Sequence, residues 1–583
     1  MTEKLPNWNL KDFYNSYEDL QIQKDINIFK NFVASFSKKY SGNILNFSES
    51  FDDVISEFED GCEISAKLEC YAFLIYATNM NDTKIVQFYQ KISEEMTEIS
   101  GDLIFFTNSI NNFDKSDFDK ILSNTIKYTS WLKNIRRFSE HQLNEEGERI
   151  LLDKSMTANS SWVRFFEEKI NDLKFLIGEK EVNSSEALNL LTDQDSSVRK
   201  KAALSIGDVF KNNVKTFTFI TNTLAKDKII NDKWRNYQNP VDARNLANNI
   251  EGDVVDALSN SVQNHYSKIS HRYYKLKSKI FDKEKLNFWD RNAPYPDASN
   301  KKISWKEAQD IVLKSYGDFD KQLEEIAQLF FDKNWIDAEL KEGKSPGAFS
   351  ASTIPSIHPY ILMNYHGKTR DVMTLAHELG HGCHQYLSAK QGMLLSSTPL
   401  TLSETASVFG EMMTFRNLLE RSDKSQKKYL LASKIEDMIN TVVRQISFFE
   451  FEKILHTERK KGELSSEKIC EIWMETQSKS LGPNIDLGGD YKYFWTYIPH
   501  FIHTPFYVYA YAFGDCLVNV LIQLFDENHP NFKELYLDLL KSGGSKHYSE
   551  VLSPFNIDLK DNKSWDKGLS LITGLIDEFE NTL

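Results

Sequence analysis

Cysteine is scarce in this chain, proline is rarer than its length would lead one to expect, and basic charge is in deficit. The five cysteines, Cys62, Cys70, Cys383, Cys470 and Cys516, are scattered over 583 residues without a CxxC pair. That excludes a disulfide framework and a cysteine-based metal site, and reduced thiols fit a cytoplasmic setting. The net charge of −14 leaves no basic stripe, so nucleic acid is not an expected partner. An acidic surface favours a soluble protein, and a monomer is expected. No apolar signal core stands at the N-terminus, and there is no fixed-period repeat or low-complexity tract. The one stretch near membrane-span length, Phe506 to Phe525, is interrupted every fourth residue by Asp515, Asn519 and Gln523. On a helix these form a polar stripe, so the stretch reads as a buried helix lining a cleft, with no membrane partner.

What is abundant is helical patterning. Apolar residues recur at three-to-four spacing over about 85–110, 140–180, 190–230 and 250–282, with charged faces between them. The fold class expected is mainly α. The clearest strand candidate is Tyr360 to Tyr365, closed by His366-Gly367. A peptide could lie along such a sheet edge through main-chain hydrogen bonds that ignore side-chain identity; a plain core strand is the other reading. Turn signals at Asn183-Ser184-Ser185 and Asp193 to Ser197 suggest an N-terminal helical region, residues 1–190, followed by a catalytic region, residues 191–583.

The catalytic expectation rests on His377-Glu378-Leu379-Gly380-His381. Residues i and i+4 share a helix face, so the two imidazoles can hold one zinc ion while Glu378 is aimed at the water beside it. Asp371 reads as the N-cap, and Val372, Leu375, Ala376, Leu379 and Cys383 give the apolar face. Ordinary half-buried helices carry the same string by chance, so a third ligand is needed. Glu404 lies just downstream, on what reads as the next helix, with Ser403 as its cap. His384 is about 10 Å along the helix from His377 and is a poorer ligand; it reads as second layer or pocket wall. Glu411, seven residues after Glu404, could orient a histidine ligand or be an ordinary solvated acid.

His377 to His384, followed by Ser403-Glu404-Thr405-Ala406-Ser407, resembles the thimet-oligopeptidase (M3) family of zinc metallopeptidases, specifically its oligoendopeptidase F branch. Trp8 to Tyr14, Gly347 to Ser350, His358 to Gly367 and Ile498 to Tyr509 carry the resemblance in order across nearly the whole chain. Cys383 departs from the pattern, and a thiol there could make the site sensitive to oxidation. The resemblance implies a two-lobed helical metallopeptidase with a deep substrate channel and a small β-sheet beside the HExxH helix. It also implies one zinc ion and short unfolded peptides as substrates, cut at internal bonds. A histidine and one or two tyrosines between 497 and 511 would stabilise the transition state: His500 and Tyr507 are favoured, with His503, Tyr509 and Tyr511 as substitutes.

The glycine-rich loop with Gly488 and Gly489 could fold over substrate or be a surface turn; it lacks the pattern of a phosphate cradle. The expected reaction is zinc-assisted hydrolysis of peptide bonds with Glu378 as general base. Two alternatives are kept. A carboxypeptidase-like zinc exopeptidase would need a cation such as Arg370 or Arg444 for the substrate terminus. A metal-stapled binding module would have no use for Glu378.

Overall fold

The computed structural model describes residues 4–295 and 302–583. Helices dominate, as the spacing predicts, and the chain forms two compact units that interleave along the sequence. One comprises Met1–Ser139, Asn300–Arg421 and Leu524–Ile557; the other comprises Glu140–Ser299, Ser422–Gln523 and Asp558–Leu583. Neither ends at residue 190, so the division at that point belongs to the sequence and not to these compact bodies. Among the described residues no helix is long and apolar enough to cross a membrane.

The first unit opens with helices α1 (Leu20–Tyr40), α2 (Phe51–Thr78) and α3 (Thr83–Gly101). Helix α1 starts where Asp19 accepts a hydrogen bond from the Gln21 amide. Its buried Ile22, Ile26, Phe29, Val33 and Phe36 recur every three or four residues and form one apolar stripe. Helices α4 (Trp305–Phe319) and α5 (Lys321–Asp332) then lead into the strands β1 (Ile336–Asp337), β2 (Phe349–Ala351) and β3 (Tyr360–Leu362). The unit is completed by α6 (Thr369–Ser388), α7 (Ser407–Arg421) and α8 (Phe532–Ser542).

The strand expected at Tyr360 is there but is shorter, and it offers no free edge. It is the middle strand of the order β1-β3-β2, parallel to β1 and antiparallel to β2, and all three of its residues are buried. The outer strands are β1 and β2, and α6 meets β2 at Ser350. The Ser350 hydroxyl donates to Gln385 Oε1 at 2.8 Å, and its carbonyl accepts from Gln385 Nε2 at 3.2 Å. The sheet therefore anchors the motif helix, and docking of a peptide on the Tyr360 strand is corrected by the occupied flanks.

The sheet is held by a buried cation. Lys344 Nζ donates to Asp337 Oδ1 at 2.6 Å and to the carbonyls of Glu339 and Met363 at 2.8 and 2.7 Å. Both charged side chains are almost completely excluded from solvent, so the pair holds only while each partner satisfies the other.

The second unit contains the 39-residue helix Ser196–Trp234, capped by Asp195, and the helices Arg444–Lys461 and Tyr509–Asp526. The helix expected over 140–180 is divided. It breaks between Ser155 and Asn159, and beyond Asp172 the chain forms a hairpin, Phe175–Ile177 against Lys180–Val182. Gly178, with φ 68°, supplies the left-handed residue this two-residue connection needs, and a β-rich Phe-Leu-Ile before it was the available signal. In the helix Tyr509–Asp526 two residues of the polar stripe are buried, with Asn519 Nδ2 donating to Asp515 Oδ2 at 2.9 Å while Asn519 Oδ1 meets no protein donor.

Replacing Lys344 by Met leaves Asp337 buried without its cation and should destabilise the first unit by about 3–5 kcal/mol. Urea unfolding should show it, and the double variant Lys344→Met/Asp337→Leu should recover much of the loss.

Candidate metal centre

Helix α6 begins three residues earlier than the sequence suggests. Asp371 is its third residue and not its N-cap. Its Oδ2 accepts from the amides of Lys368 at 2.9 Å and His366 at 2.8 Å, which locks the turn after Gly367 (φ 82°) and sets the helix direction.

On this helix His377 and His381 stand one turn apart, with ring centroids 4.9 Å apart. Glu404 Oε2 lies 3.5 Å from Nε2 of each ring. These three are the one group of such side chains, among the described residues, whose donor atoms all lie within 4.8 Å of one another. Donors bound at zinc distances of about 2.1 Å in a tetrahedron stand about 3.4 Å apart. The two imidazole–carboxylate separations match that edge, and imidazole plus carboxylate is a donor set zinc accepts, so the residues fit the ion.

Glu404, expected on a helix, lies instead in the turn between Leu400–Ser403 and α7, with φ −83° and ψ −1°. Its Oε2 also accepts from Ser407 Oγ at 2.6 Å. The turn reaches the histidines because α6 carries glycine at its point of closest approach. A Cβ on Gly380 would stand 2.4 Å from the Ala406 carbonyl oxygen and 2.5 Å from Ser407 Cα. The HExxH spacing hides this requirement, since any residue is allowed at that position of the bare pattern. The signal that could have exposed it is glycine inside a helix, which local propensity disfavours.

The surrounding groups differ by environment. Glu411 Oε2 lies 3.2 Å from His377 Nδ1, on the ring edge away from Glu404, where it can fix the tautomer. Burial opposes charge on His377, but that hydrogen bond and the carboxylates of Glu404 and Glu411 hold it above the ordinary imidazole value. Burial pushes His381 down to about 4 and Glu378 up to about 7, the latter against the pull of His377. Glu378 is only 7 % exposed. His384 is buried, contacts Thr398 Oγ1 at 3.2 Å and lies outside the donor group. Cys383 is fully buried with its thiol pushed up by burial, so oxidation of it is disfavoured.

The other candidate residues belong to the second unit. His500 Nε2 lies 3.2 Å from the Tyr511 hydroxyl, and its ring is stacked 6.3 Å from that of Tyr507. Burial, then Arg444 and His503, hold His500 below the ordinary imidazole value. His503 lies 3.6 Å from Glu167. Tyr509 does not join this cluster. It is fully buried, and its hydroxyl accepts from Asn248 Nδ2 at 2.9 Å, so it packs as core. Gly488 (φ 60°) turns the chain after Ile485–Asp486, its amide donating to Asp486 Oδ1, and Gly489 precedes the 3-10 segment Asp490–Tyr497.

Gly380→Ala should push the Glu404 turn off α6. The expected outcome is a folded protein by circular dichroism, destabilised by about 1–3 kcal/mol and with reduced metal content by atomic absorption.

The family model for peptidase family M3 matches residues 189–571, and that for oligopeptidase F matches residues 110–175. The chain is 25 % identical to oligopeptidase PepF of Bacillus subtilis over 99 % of this chain and 87 % of that protein. It is 28 % identical to an oligoendopeptidase F homolog of Borreliella burgdorferi, covering 98 % and 97 % respectively. A crystal structure from Chlamydophila abortus superposes over the full length of both chains with a TM-score of 0.89 at 23 % identity. Oligoendopeptidase-F of Enterococcus faecium does so over 98 % and 99 % with a TM-score of 0.70 at 22 % identity. With a helix-borne HExxH site at its centre and a family match over most of its length, the chain belongs to peptidase family M3, a family of metallopeptidases.

Proposed function

We propose that this chain is a cytoplasmic, monomeric zinc oligoendopeptidase that cuts internal bonds of short unfolded peptides. The observation that carries the reading is the 3.5 Å spacing of Glu404 from both imidazoles, with Glu378 buried one residue from the first of them. The relatives named as oligoendopeptidases support the substrate class.

His377, His381 and Glu404 would hold one zinc ion, and Glu411 would orient His377 through Nδ1. Zinc bound by such a set acidifies coordinated water and polarises carbonyl groups. Glu378 takes the proton of the attacking water on its carboxylate and passes it to the nitrogen of the departing amine. Its burial suits both halves of that task, since a carboxylate raised to about 7 both accepts and releases a proton near neutrality. His500 and Tyr507 serve as the hydrogen-bond donors to the oxygen that becomes negative, with His503 and Tyr511 as further polar groups for the substrate. Gly488, which turns the chain with φ 60°, and Gly489 after it would belong to the substrate-binding loop. His384 backs the site from the buried side of α6. The sequence regions 1–190 and 191–583 would be the N-terminal and catalytic regions of the chain.

The exopeptidase reading has one observation in its favour. Arg444 forms no ion pair among the described residues; it lies over Phe448 and donates to the Tyr497 hydroxyl at 3.3 Å. A free cation of this kind could take a terminal carboxylate.

Mass spectrometry of a mixed-length peptide pool separates the readings. Internal cuts confined to short peptides are expected, whereas stepwise loss from one end would replace the proposal with an exopeptidase. Absence of any cleavage by zinc-loaded protein would leave a metal-stapled module. Glu378→Gln should retain zinc yet lose roughly 10²–10⁴-fold in kcat. Glu411→Ala should weaken zinc affinity about 10–100-fold while leaving the fold intact by circular dichroism.

A further inference from the structure

In the second unit a strained residue stands directly before the candidate donor tyrosine. Phe506 adopts φ 61°, in the left-handed region that disfavours any residue with a Cβ. Of the nine non-glycine residues with positive φ among the described residues, seven are asparagine or aspartate and Phe506 is the only aromatic. Asparagine and aspartate reach this conformation at modest cost, so Phe506 must be held there by its surroundings.

The restraint is visible atom by atom. The peptide plane between Pro505 and Phe506 is pinned at both polar atoms. The Pro505 carbonyl accepts from Arg244 Nε at 3.3 Å, and the Phe506 amide donates to Glu452 Oε1 at 2.8 Å. The Phe506 ring is fully buried, 4.9 Å from the His456 ring and edge-on to Phe449 at 6.2 Å. Immediately beyond the pinned plane, Tyr507 faces the Arg244 guanidinium at 5.6 Å and stacks beside His500.

Glu452 is costly to keep where it is. It is 1 % exposed and makes no ion pair among the described residues, and its Oε2 meets no protein donor. Burial pushes it up to about 8, so at neutral pH it is largely a neutral acid. One turn along the same helix, His456 Nδ1 is likewise buried without a protein partner, and both residues line a cavity of about 20 Å³. An apolar residue would pack here without the penalty of a buried polar atom. What Glu452 supplies, and an apolar residue could not, is an acceptor for the strained amide.

We propose that Glu452 is a positioning residue: by accepting from the Phe506 amide it fixes the left-handed turn that sets the Tyr507 ring beside His500. The inference rests on the reading of His500 and Tyr507 as the hydrogen-bond donors of the reaction. It assigns Glu452 no contact with substrate.

The test measures kcat and KM on one short internally quenched peptide for the zinc-loaded full-length chain. Glu452→Met removes the acceptor and should lower kcat roughly ten- to a hundredfold with KM little changed, since the loss is one of orientation. Glu452→Gln keeps a carbonyl oxygen at the amide and should restore kcat to near the wild-type value. If Glu452→Met does not fold, Glu452→Asp, which withdraws the acceptor by one methylene, takes its place with the same expectation. Tyr507→Phe should itself lower kcat, and its combination with Glu452→Met should cost much less than the product of the two single losses. A folded Glu452→Met or Glu452→Asp with wild-type kcat would overturn the inference, as would losses that multiply fully with Tyr507→Phe. If Tyr507→Phe alone left kcat unchanged, the donor reading would fall and the inference with it.

Discussion

The candidate metal centre depends on how closely two helices of the first unit can approach. The main chain at Ala406 and Ser407 lies where a side chain at position 380 would be, and only a glycine there lets the Glu404 turn come down onto His377 and His381. Two imidazoles one helical turn apart are easily made, and many helices have them. A carboxylate at 3.5 Å from both is not, because it must arrive from a separate segment at the angle the helix packing allows. Tyr316 reinforces the arrangement from below, with its hydroxyl donating to the Ala376 carbonyl at 2.7 Å and its ring against Gly410 of α7. A second glycine thus lies under the same helix pair, where backbone approach is again the limiting quantity.

Carboxyl groups in this chain differ in chemistry because their surroundings differ. Glu404 is one-third exposed, accepts from Ser407 and lies beside both imidazoles. Glu378, one residue from a histidine of the same site, is buried and raised to about 7. Asp337 is buried as deeply but neutralised by Lys344, so its work is structural. Glu452 is buried with neither cation nor metal and is spent on one amide. The same functional group is thus suited to different tasks according to what stands within hydrogen-bonding distance.

Features governed by residues close in sequence were the legible ones. The HExxH helix, its apolar face and the long helix after Asp195 follow from spacing and caps that span a few residues. The expectations that the structure revised turn on contacts that spacing does not show, at short range for Asp371 and between distant segments for the others. Asp371 moved from cap to third helical residue because two amides, at 366 and 368, compete for its carboxylate. The strand at Tyr360 became a middle strand because partners from 336–337 and 349–351 fill both its sides. Tyr509 sits among tyrosines in sequence, yet the helical turn beginning there directs its hydroxyl to Asn248 in the core.

By itself the sequence determined the class of chemistry: a mainly helical chain with paired histidines, a neighbouring glutamate and a downstream acid that suit a metal-dependent hydrolase. These are properties of local periodicity and residue type, which need no knowledge of the rest of the fold. Only the tertiary structure decided that Glu404 lies in a turn, that Gly380 makes room for it, that Ser350 and Gln385 tie the motif helix to a sheet edge, and that Glu452 meets the strained amide of Phe506. Each of those is a distance between residues far apart in the chain, and such distances are set by side-chain packing, which no short-range pattern encodes.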